Sequence, residues 1–231
     1  MVVFGGSRRG QWQNSTHVLD TDTWTWSTPP VRGVAPPGRA FHSATVVGAK
    51  RRSIVVIGGN NRDDIFGGAD VAVLTLSGGG GGGGSSDELA WVWSHPKTSG
   101  GGPCGRAGHV AALVDDGRGT LLVQGGWDTQ AASGDLEFFP DTWLLDTESW
   151  AWRELKTAAA TDGRGGARAP PKRTGHRFVT LGGGTEESEG QLGGGASALG
   201  KEDARVILFG GQDDDDVRHH DLVQLVLPAA S

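Results

Sequence analysis

The feature that most limits how this chain can fold is a short pattern, Arg-x-x-His followed by alternating apolar residues, which occurs three times. It reads RAFHSATVV from Arg39, RAGHVAALV from Arg106 and RTGHRFVTL from Arg173, so successive copies are 67 residues apart. A constant period of this length is typical of repeat architectures, in which each copy forms one supersecondary unit that packs against the next. The pattern therefore predicts repeated units rather than three isolated catalytic sites.

Each copy is followed by the same succession of short apolar runs. One run ends in a double glycine, as in IVVIGG from Ile54, and a later run begins with Asp, as in DTWLLDTESW from Asp141. A double glycine allows backbone conformations that are closed to residues with a Cβ. Tryptophans spaced i, i+2 come next, and this spacing predicts two indoles on one face of a strand. The pairs are Trp24/Trp26, Trp91/Trp93 and Trp150/Trp152.

The length and composition of these runs indicate strands. Each has four to eight residues, is rich in Val, Ile, Leu and Trp, and is bounded by Gly, Pro, Asp or Ser. No helical period of comparable length is visible. We therefore expect an almost entirely β chain, with strands at about Ser43 to Val47, Ile54 to Ile57, Val110 to Val114, Leu121 to Gln124 and Val206 to Phe209.

Taken together, the Arg-x-x-His strand, the double glycine, the Asp-led strand and the tryptophans resemble the kelch motif over nearly the whole chain. The resemblance implies a β-propeller whose blades have four strands, with the Arg-x-x-His strand innermost and the tryptophan strand outermost. The expected fold is an all-β kelch-type propeller of about four blades, two complete and two partial, in an incomplete or open ring. Each end would then expose an edge strand.

The repeats predict one propeller region over residues 1–231, with blade repeats at approximately 1–35, 36–102, 103–169 and 170–231. Two polar, low-complexity segments, 77–88 and 182–203, are expected to be flexible insertions. The glycines from Gly78 to Gly84 lack the Lys-Ser/Thr ending of a phosphate-binding loop, so no nucleotide site is expected there.

The repeated arginines and histidines are interpreted as structural. The resemblance implies that they hold successive blades to the central axis through hydrogen bonds to backbone carbonyls and to neighbouring polar groups. The alternative is that the histidines meet at the axis and bind a metal. The residues concerned are Arg39, His42, Arg106, His109, Arg173 and His176.

Loops between the second and third strands should leave the propeller on one side, and in such scaffolds loops carry function. These loops contain arginine and aromatic residues, which are common anchors of protein interfaces. The alternative is that the two phenylalanines cap the core and that the charges are solvated. A protein partner of unknown identity is predicted to contact Arg8, Arg9, Trp12, Asn61, Arg62, Asp63, Trp127, Asp128, Phe138 and Phe139.

No complete catalytic set is recognisable in the sequence. No Ser-His-Asp or Cys-His arrangement is found, and Cys104 lies in a predicted turn without an identified activating base. The acidic run before His219 and His220 could bind a divalent cation, although alternation along a strand would put the two imidazoles on opposite faces. We expect no catalytic residues, no metal and no cofactor. The alternative function is a non-redox or metal-assisted enzyme that binds a small molecule in the propeller mouth.

Charge and hydropathy limit the class of partner and the compartment. The formal net charge is −6 and the basic pairs are scattered, which disfavours nucleic acid and anionic membranes as partners. No apolar run approaches the roughly 20 residues of a membrane helix, and the N-terminus lacks the features of a signal peptide. The sequence therefore predicts a protein-binding scaffold or adaptor, part of a larger protein, in the cytoplasm, with the nucleus as a second compartment.

Overall fold

The computed structural model describes residues 1–48, 50–78, 89–115, 119–129, 135–156, 160–161, 167–168, 172–181 and 204–227. These residues form strands, turns and loops, and they include no helix long and apolar enough to cross a membrane. The all-β prediction is confirmed. Of the two predicted insertions, residues 79–88 and 182–203 lie outside the described residues.

Twenty-one strands follow one another along the described residues, and ten of them precede Pro96. These ten are β1 (Val2–Phe4), β2 (Ser7–Arg8), β3 (Gln11–Trp12), β4 (Thr16–Asp20), β5 (Thr25–Ser27), β6 (Val31–Arg32), β7 (Ser43–Val47), β8 (Ser53–Ile57), β9 (Ala72–Ser77) and β10 (Ala90–Ser94). The others are β11 (Val110–Asp115), β12 (Thr120–Gln124), β13 (Trp127–Asp128), β14 (Glu137–Phe138), β15 (Thr142–Asp146), β16 (Trp152–Glu154), β17 (Ala160–Thr161), β18 (Ala167–Arg168), β19 (Arg177–Leu181), β20 (Ala204–Phe209) and β21 (Leu222–Leu227). All five strands predicted with bounds are present.

Four antiparallel meanders form the body of the protein. In order from the inner strand outwards, the first meander is β1-β4-β5, the second is β7-β8-β9-β10, the third is β11-β12-β15-β16, and the fourth is β19-β20-β21. At the outer edge of the second sheet, β6 pairs with β10 in parallel. The three Arg-x-x-His strands lie together, because β11 contacts both β7 and β19. Two hairpins, β2-β3 and β13-β14, project from the loops that connect second to third strands. The described sheets form an open kelch propeller of two complete and two partial blades.

Strand alternation explains how each sheet packs on both neighbours. In the third sheet, Leu121, Val123 and Leu145 pack against the second sheet, whereas Leu122 and Leu144 pack against the fourth. The first and second sheets meet through Phe4 and Trp93, whose rings are edge to face at 4.8 Å. Because successive side chains of a strand point to opposite faces, a strand buried on both faces needs a continuous apolar run. This requirement accounts for sequences such as LLV and IVVI.

The outer edge of the fourth sheet differs from the expectation. We predicted an exposed third strand there, but β17 pairs with β21 through Ala160↔Leu225 and Thr161↔Gln224, and β18 pairs in turn with β17. Strand β17 thus covers backbone groups of β21 that would otherwise be unpaired among the described residues.

The tryptophan pairs also differ from the expectation. Trp24 and Trp150 precede their strands, with φ of +55° and +57°, so these two pairs do not lie within a single strand. Trp150 nevertheless packs against the same core cluster as Trp152. The cause is local: Oδ1 of Asp20 and of Asp146 accepts two backbone N–H groups just downstream, which closes a turn before each strand. Trp93 and Trp152 remain buried anchors.

Candidate interaction site at the loop end of the sheets

The repeated arginine makes the same side-chain contact in three sheets. Its guanidinium Nη1 donates to the carbonyl oxygen of the first glycine of the Gly-Gly pair in the same sheet. The bonds are Arg39 to Gly58 at 3.0 Å, Arg106 to Gly125 at 3.1 Å and Arg173 to Gly210 at 3.1 Å. Each arginine side chain therefore fixes the start of its own first strand to the end of the second.

The backbone of the same arginine connects neighbouring sheets. Its carbonyl oxygen accepts the N–H of the second glycine of the preceding sheet. The bonds are Gly6 to Arg39 at 2.8 Å, Gly59 to Arg106 at 2.9 Å and Gly126 to Arg173 at 2.9 Å. We call this paired arrangement the Gly-Gly joint. It joins the first sheet to the second, the second to the third and the third to the fourth.

Two of the arginines also pair with the aspartate before the third strand. Arg106 meets Asp141, and Arg173 meets Asp221 with Nη–Oδ distances of 2.7 and 2.8 Å. Although burial alone would raise the pKa of Asp141, hydrogen bonds from Arg106 and Trp143 hold it below its usual value. The Arg106 guanidinium also lies 4.5 Å from the centre of the Phe139 ring. Asp141 is thus the counterion of the arginine in its own sheet.

Each histidine lies over the Gly-Gly pair of the preceding sheet, where burial lowers its pKa. Burial, followed by the charge of the nearby arginine, lowers the pKa of His42 to about 4, of His109 to about 3 and of His176 to about 4. His109 Nε2 lies 2.9 Å from Ser43 Oγ in the second sheet. Neither ring nitrogen of His176 has a partner among the described residues. The difference follows from sequence, because the position of Ser43 is occupied by Val110 in the next repeat.

The loops that follow the Gly-Gly pairs lie at one end of the sheets, together with the starts of the Arg-x-x-His strands. We call this end the loop end. Antiparallel pairing requires the arrangement, since Ser43 lies opposite Ile57 and Val110 lies opposite Gln124. The turns between third and fourth strands, including the one with Trp24, therefore lie at the opposite end.

The predicted contact residues divide into three groups by exposure. Arg8, Arg9, Arg62 and Asp63 are exposed. Trp12, Asn61, Trp127 and Asp128 are half-buried. Phe138 and Phe139 are buried, so their rings are not available to a partner, and Phe139 covers Arg106 as in the alternative interpretation.

Phe41 is a residue of this surface that the sequence reasoning missed. It is 62% exposed, has a φ of +57°, and its ring meets that of Trp127 edge to face at 5.7 Å. The other two repeats have glycine at this position, Gly108 and Gly175, also with positive φ. The signal was in the alignment of the three repeats, where an aromatic residue replaces glycine at a position that requires the left-handed conformation.

The acidic segment before His219 does not form a metal site in the described residues. His219 Nε2 lies 2.7 Å from Asp213 Oδ2, Gln212 donates to Asp216, and Asp221 pairs with Arg173. No cluster of three or more His, Cys, Asp or Glu residues suited to a metal is found in the part of the chain that the structure describes.

The sequence matches one family model, the KLHDC2/KLHL20/DRC7 Kelch-repeats domain, over residues 1–189. Among curated proteins, it is 29% identical to mouse Kelch domain-containing protein 1 over 63% of this chain and 30% of that protein. It is 33% identical to the chicken Rab9 effector protein with kelch motifs, over 62% of this chain and 33% of that protein. It is 30% identical to Drosophila melanogaster host cell factor, over 68% of this chain and 10% of that protein. The chain thus spans about a third or less of these relatives.

Two solved structures share the fold. That of YjhT has a TM-score of 0.50 at 16% identity, and the match covers 95% of this chain and 51% of that one. A chain in the cryo-EM structure of RAG in complex with one melted and one unmelted RSS has a TM-score of 0.55 at 11% identity, over 97% of this chain and 62% of that one. At these identities the likeness concerns the fold alone.

Proposed function

The chain belongs to the kelch-repeat family, and on that premise we propose that it is a protein-interaction module whose partner binds the loop end of the sheets. Kelch relatives named as a Rab9 effector and as host cell factor support an interaction role. The proposal is for a scaffold or adaptor that performs no chemical step itself. It includes a cytoplasmic or nuclear location, which fractionation of the source cell would test.

The observation that carries the proposal is the contact between the exposed ring of Phe41 and the half-buried indole of Trp127. A large ring that is 62% exposed costs solvation free energy in the free protein, and burial against a partner would recover about 1–2 kcal/mol. The backbone of Phe41 is also in the left-handed region, where a residue with a side chain costs about 1 kcal/mol relative to glycine. Two unfavourable features at one exposed residue are expected where the side chain serves recognition.

Exposed arginines on other loops of the same end also support a protein partner. Arg8, Arg9 and Arg62 are exposed on loops of the same end, and Arg8 and Arg9 line a shallow cavity of about 290 Å³ with two glutamines. Planar guanidinium groups form hydrogen bonds to carboxylates and carbonyls at interface rims. Tryptophan and arginine are among the residues enriched in interface hot spots, so their presence on loops of one end supports the choice of this surface.

The test compares Phe41→Gly with Trp24→Gly in affinity capture from the source cell, with quantification of the specifically bound proteins. Both side chains are exposed, at 62% and 75%, and both have positive φ, so each glycine variant should retain the stability of the parent. They differ in position, because Trp24 lies at the end opposite to the loop end. We expect Phe41→Gly to reduce capture at least about fivefold and Trp24→Gly to leave it unchanged. Equal capture by both variants would exclude the loop end as the binding surface.

A further inference from the structure

The contact between the third and fourth sheets contains buried polar atoms for which the described residues supply no hydrogen bond. His176 is fully buried, and neither of its ring nitrogens has a partner among those residues. Thr142 is 1% exposed, and its hydroxyl oxygen has no partner there either. Buried polar groups in native proteins are nearly always hydrogen-bonded, to protein or to ordered water, because an unpaired group keeps the full cost of its lost hydration. The two side chains therefore indicate that a polar molecule is bound between these sheets.

Strand pairing and sheet packing bring the two groups to the same place. Thr142 and Gln124 are opposite each other in neighbouring strands, so their side chains lie on one face of the third sheet. The fourth sheet covers that face, because Leu122, two positions before Gln124 in β12, packs against it. His176 lies over Gly125, the residue after Gln124, since a Cβ at Gly125 would be 2.9 Å from the Cε1 of His176. The imidazole, the hydroxyl and the Gln124 amide therefore lie together at one end of this contact.

The equivalent contact between the second and third sheets has different residues. The second sheet has Ser43, Ile57 and Val71 at the positions where the third sheet has Val110, Gln124 and Thr142. Ser43 Oγ lies 2.9 Å from His109 Nε2, so in that contact a side chain supplies the hydrogen bond. In the third sheet the hydroxyl of the first strand is lost, and polar side chains replace the two apolar ones. Because burial of a polar group is unfavourable unless the group is hydrogen-bonded, this exchange indicates that the polar atoms share a partner.

The protonation state of His176 determines what this partner must do. Burial, followed by the charges of Arg173 and Arg177, lowers the pKa of His176 to about 4, so the imidazole is neutral at pH 7. A neutral imidazole has one N–H donor and one accepting nitrogen, and a threonine hydroxyl both donates and accepts. Water has donors and acceptors for both groups and fits a close-packed interior. A metal ion would need further ligands, and the described part of the chain has no cluster of His, Cys, Asp or Glu suited to one.

We propose that a single ordered water molecule is bound between the third and fourth sheets, where it bridges a ring nitrogen of His176 and the hydroxyl of Thr142. Gln124 is the third polar side chain in the wall of this site. The water joins its two sheets by hydrogen bonds, as the direct bond between Ser43 and His109 joins the second and third sheets. The site is independent of partner binding at the loop end, and it explains why this buried position has a threonine.

A crystal structure of the full chain, at a resolution that shows ordered water, tests the proposal directly. We expect a peak of electron density within about 2.7–3.2 Å of both a His176 ring nitrogen and Thr142 Oγ1. A direct hydrogen bond between Thr142 and His176, or a site without density, would overturn the proposal. A peak at about 2.0–2.1 Å from the ring nitrogen would also overturn it, because that distance is typical of a metal ion.

The same water is counted in solution by oxygen-17 magnetic relaxation dispersion, which detects buried water molecules with long residence times. Thr142→Val removes the hydroxyl with little change in shape, and Val71 already occupies the equivalent position of the second sheet. Thr16→Val is the matched control, because Thr16 has the equivalent position in the first sheet. We expect Thr142→Val to lose one long-lived water relative to the parent, and Thr16→Val to lose none. Equal counts in the parent and the Thr142 variant would contradict the proposed site.

Discussion

Arg106 and Asp141 form a two-point ion pair, with Nη1–Oδ1 at 2.6 Å and Nη2–Oδ2 at 2.9 Å. The pair connects the start of the first strand of the third sheet to the start of its third strand. The Arg106 side chain is fully buried, so its charge is compensated only by the groups that face it. In the fourth sheet, Arg173 and Asp221 form the same pair with more solvent around the carboxylate.

Asp141→Asn should lower the free energy of unfolding by about 3 kcal/mol, because it leaves the buried Arg106 charge without its counterion. Asp221→Asn is the matched control, with an expected loss of about 1 kcal/mol, since the Asp221 side chain is 51% exposed and that of Asp141 is 25% exposed. Urea denaturation of both variants measures the two losses. A larger loss for the Asp221 variant would contradict the role assigned to burial.

Gly125→Ala should destabilise the protein by at least about 2 kcal/mol more than Gly210→Ala. The backbone strain is the same in both, with φ of +70° and +72°, but the new methyl at Gly125 would lie 2.5 Å from the Arg173 carbonyl oxygen. At Gly210 the nearest contact is ordinary, at 3.6 Å. The two losses in the free energy of unfolding are obtained from the midpoints of urea denaturation, with one common dependence of the free energy on urea concentration. Equal losses would mean that crowding at the joint does not contribute.

Val110→Ser should give His176 the hydroxyl partner that Ser43 gives His109. The substitution also removes apolar surface, so the expected result concerns coupling rather than net stability. We expect the change in the free energy of unfolding caused by Val110→Ser to be about 1 kcal/mol more favourable with His176 present than in a His176→Leu background. A double-mutant cycle by urea denaturation gives this energy, and the corresponding cycle with Ser43→Val and His109→Leu is the positive control. A coupling of zero in the Val110 cycle would contradict the inferred geometry.

Acidification should destabilise the protein below about pH 6.5. The folded-state pKa values of His42, His109 and His176 are about 4, 3 and 4, below the value of 6.5 for an exposed histidine. The unfolded chain therefore binds more protons in this window, and stability falls as the pH decreases from 6.5 towards 4. Each histidine contributes a slope of up to about 1.4 kcal/mol per pH unit. Urea titrations at pH 7, 6 and 5 test this, and His176→Leu should have the shallower slope.

Trp127→Ala should weaken partner binding by about 2 kcal/mol or more, because the indole supports Phe41 as well as offering its own surface. Removal of Gly78 to Gly84, whose residues 79–84 lie outside the described residues, should leave binding intact. Affinity capture with both variants provides the measurement. If the glycine-trimmed variant lost its partner and Trp127→Ala captured the partner normally, the assignment of the loop end as the binding surface would be wrong.

Local sequence determined the strands. Ser43–Val47 was predicted to the residue, and Thr120–Gln124 to within one residue, because period-2 apolar patterning and glycine boundaries are properties of the strand itself. The 67-residue period determined which strands are equivalent, and the resemblance to the kelch motif implied the order of strands within each sheet. Arg9 and Arg62 lie outside strands, as predicted from their positions after the Gly-Gly pairs, whereas Arg8 lies in the short strand β2.

Tertiary structure decided what depends on partners distant in the chain. The edge of the fourth sheet is covered by Ala160–Thr161, which pairs with a strand more than sixty residues later in sequence, and no local pattern indicates that pairing. Phe138 and Phe139 are buried while Phe41 is exposed, although all three are phenylalanines at the loop end. His109 and His176 occupy identical motif positions, yet only His109 faces a hydroxyl, because its partner comes from the preceding repeat. Burial and hydrogen-bond satisfaction depend on which residues the packed sheets bring together. The repeat pattern in the sequence therefore does not determine them.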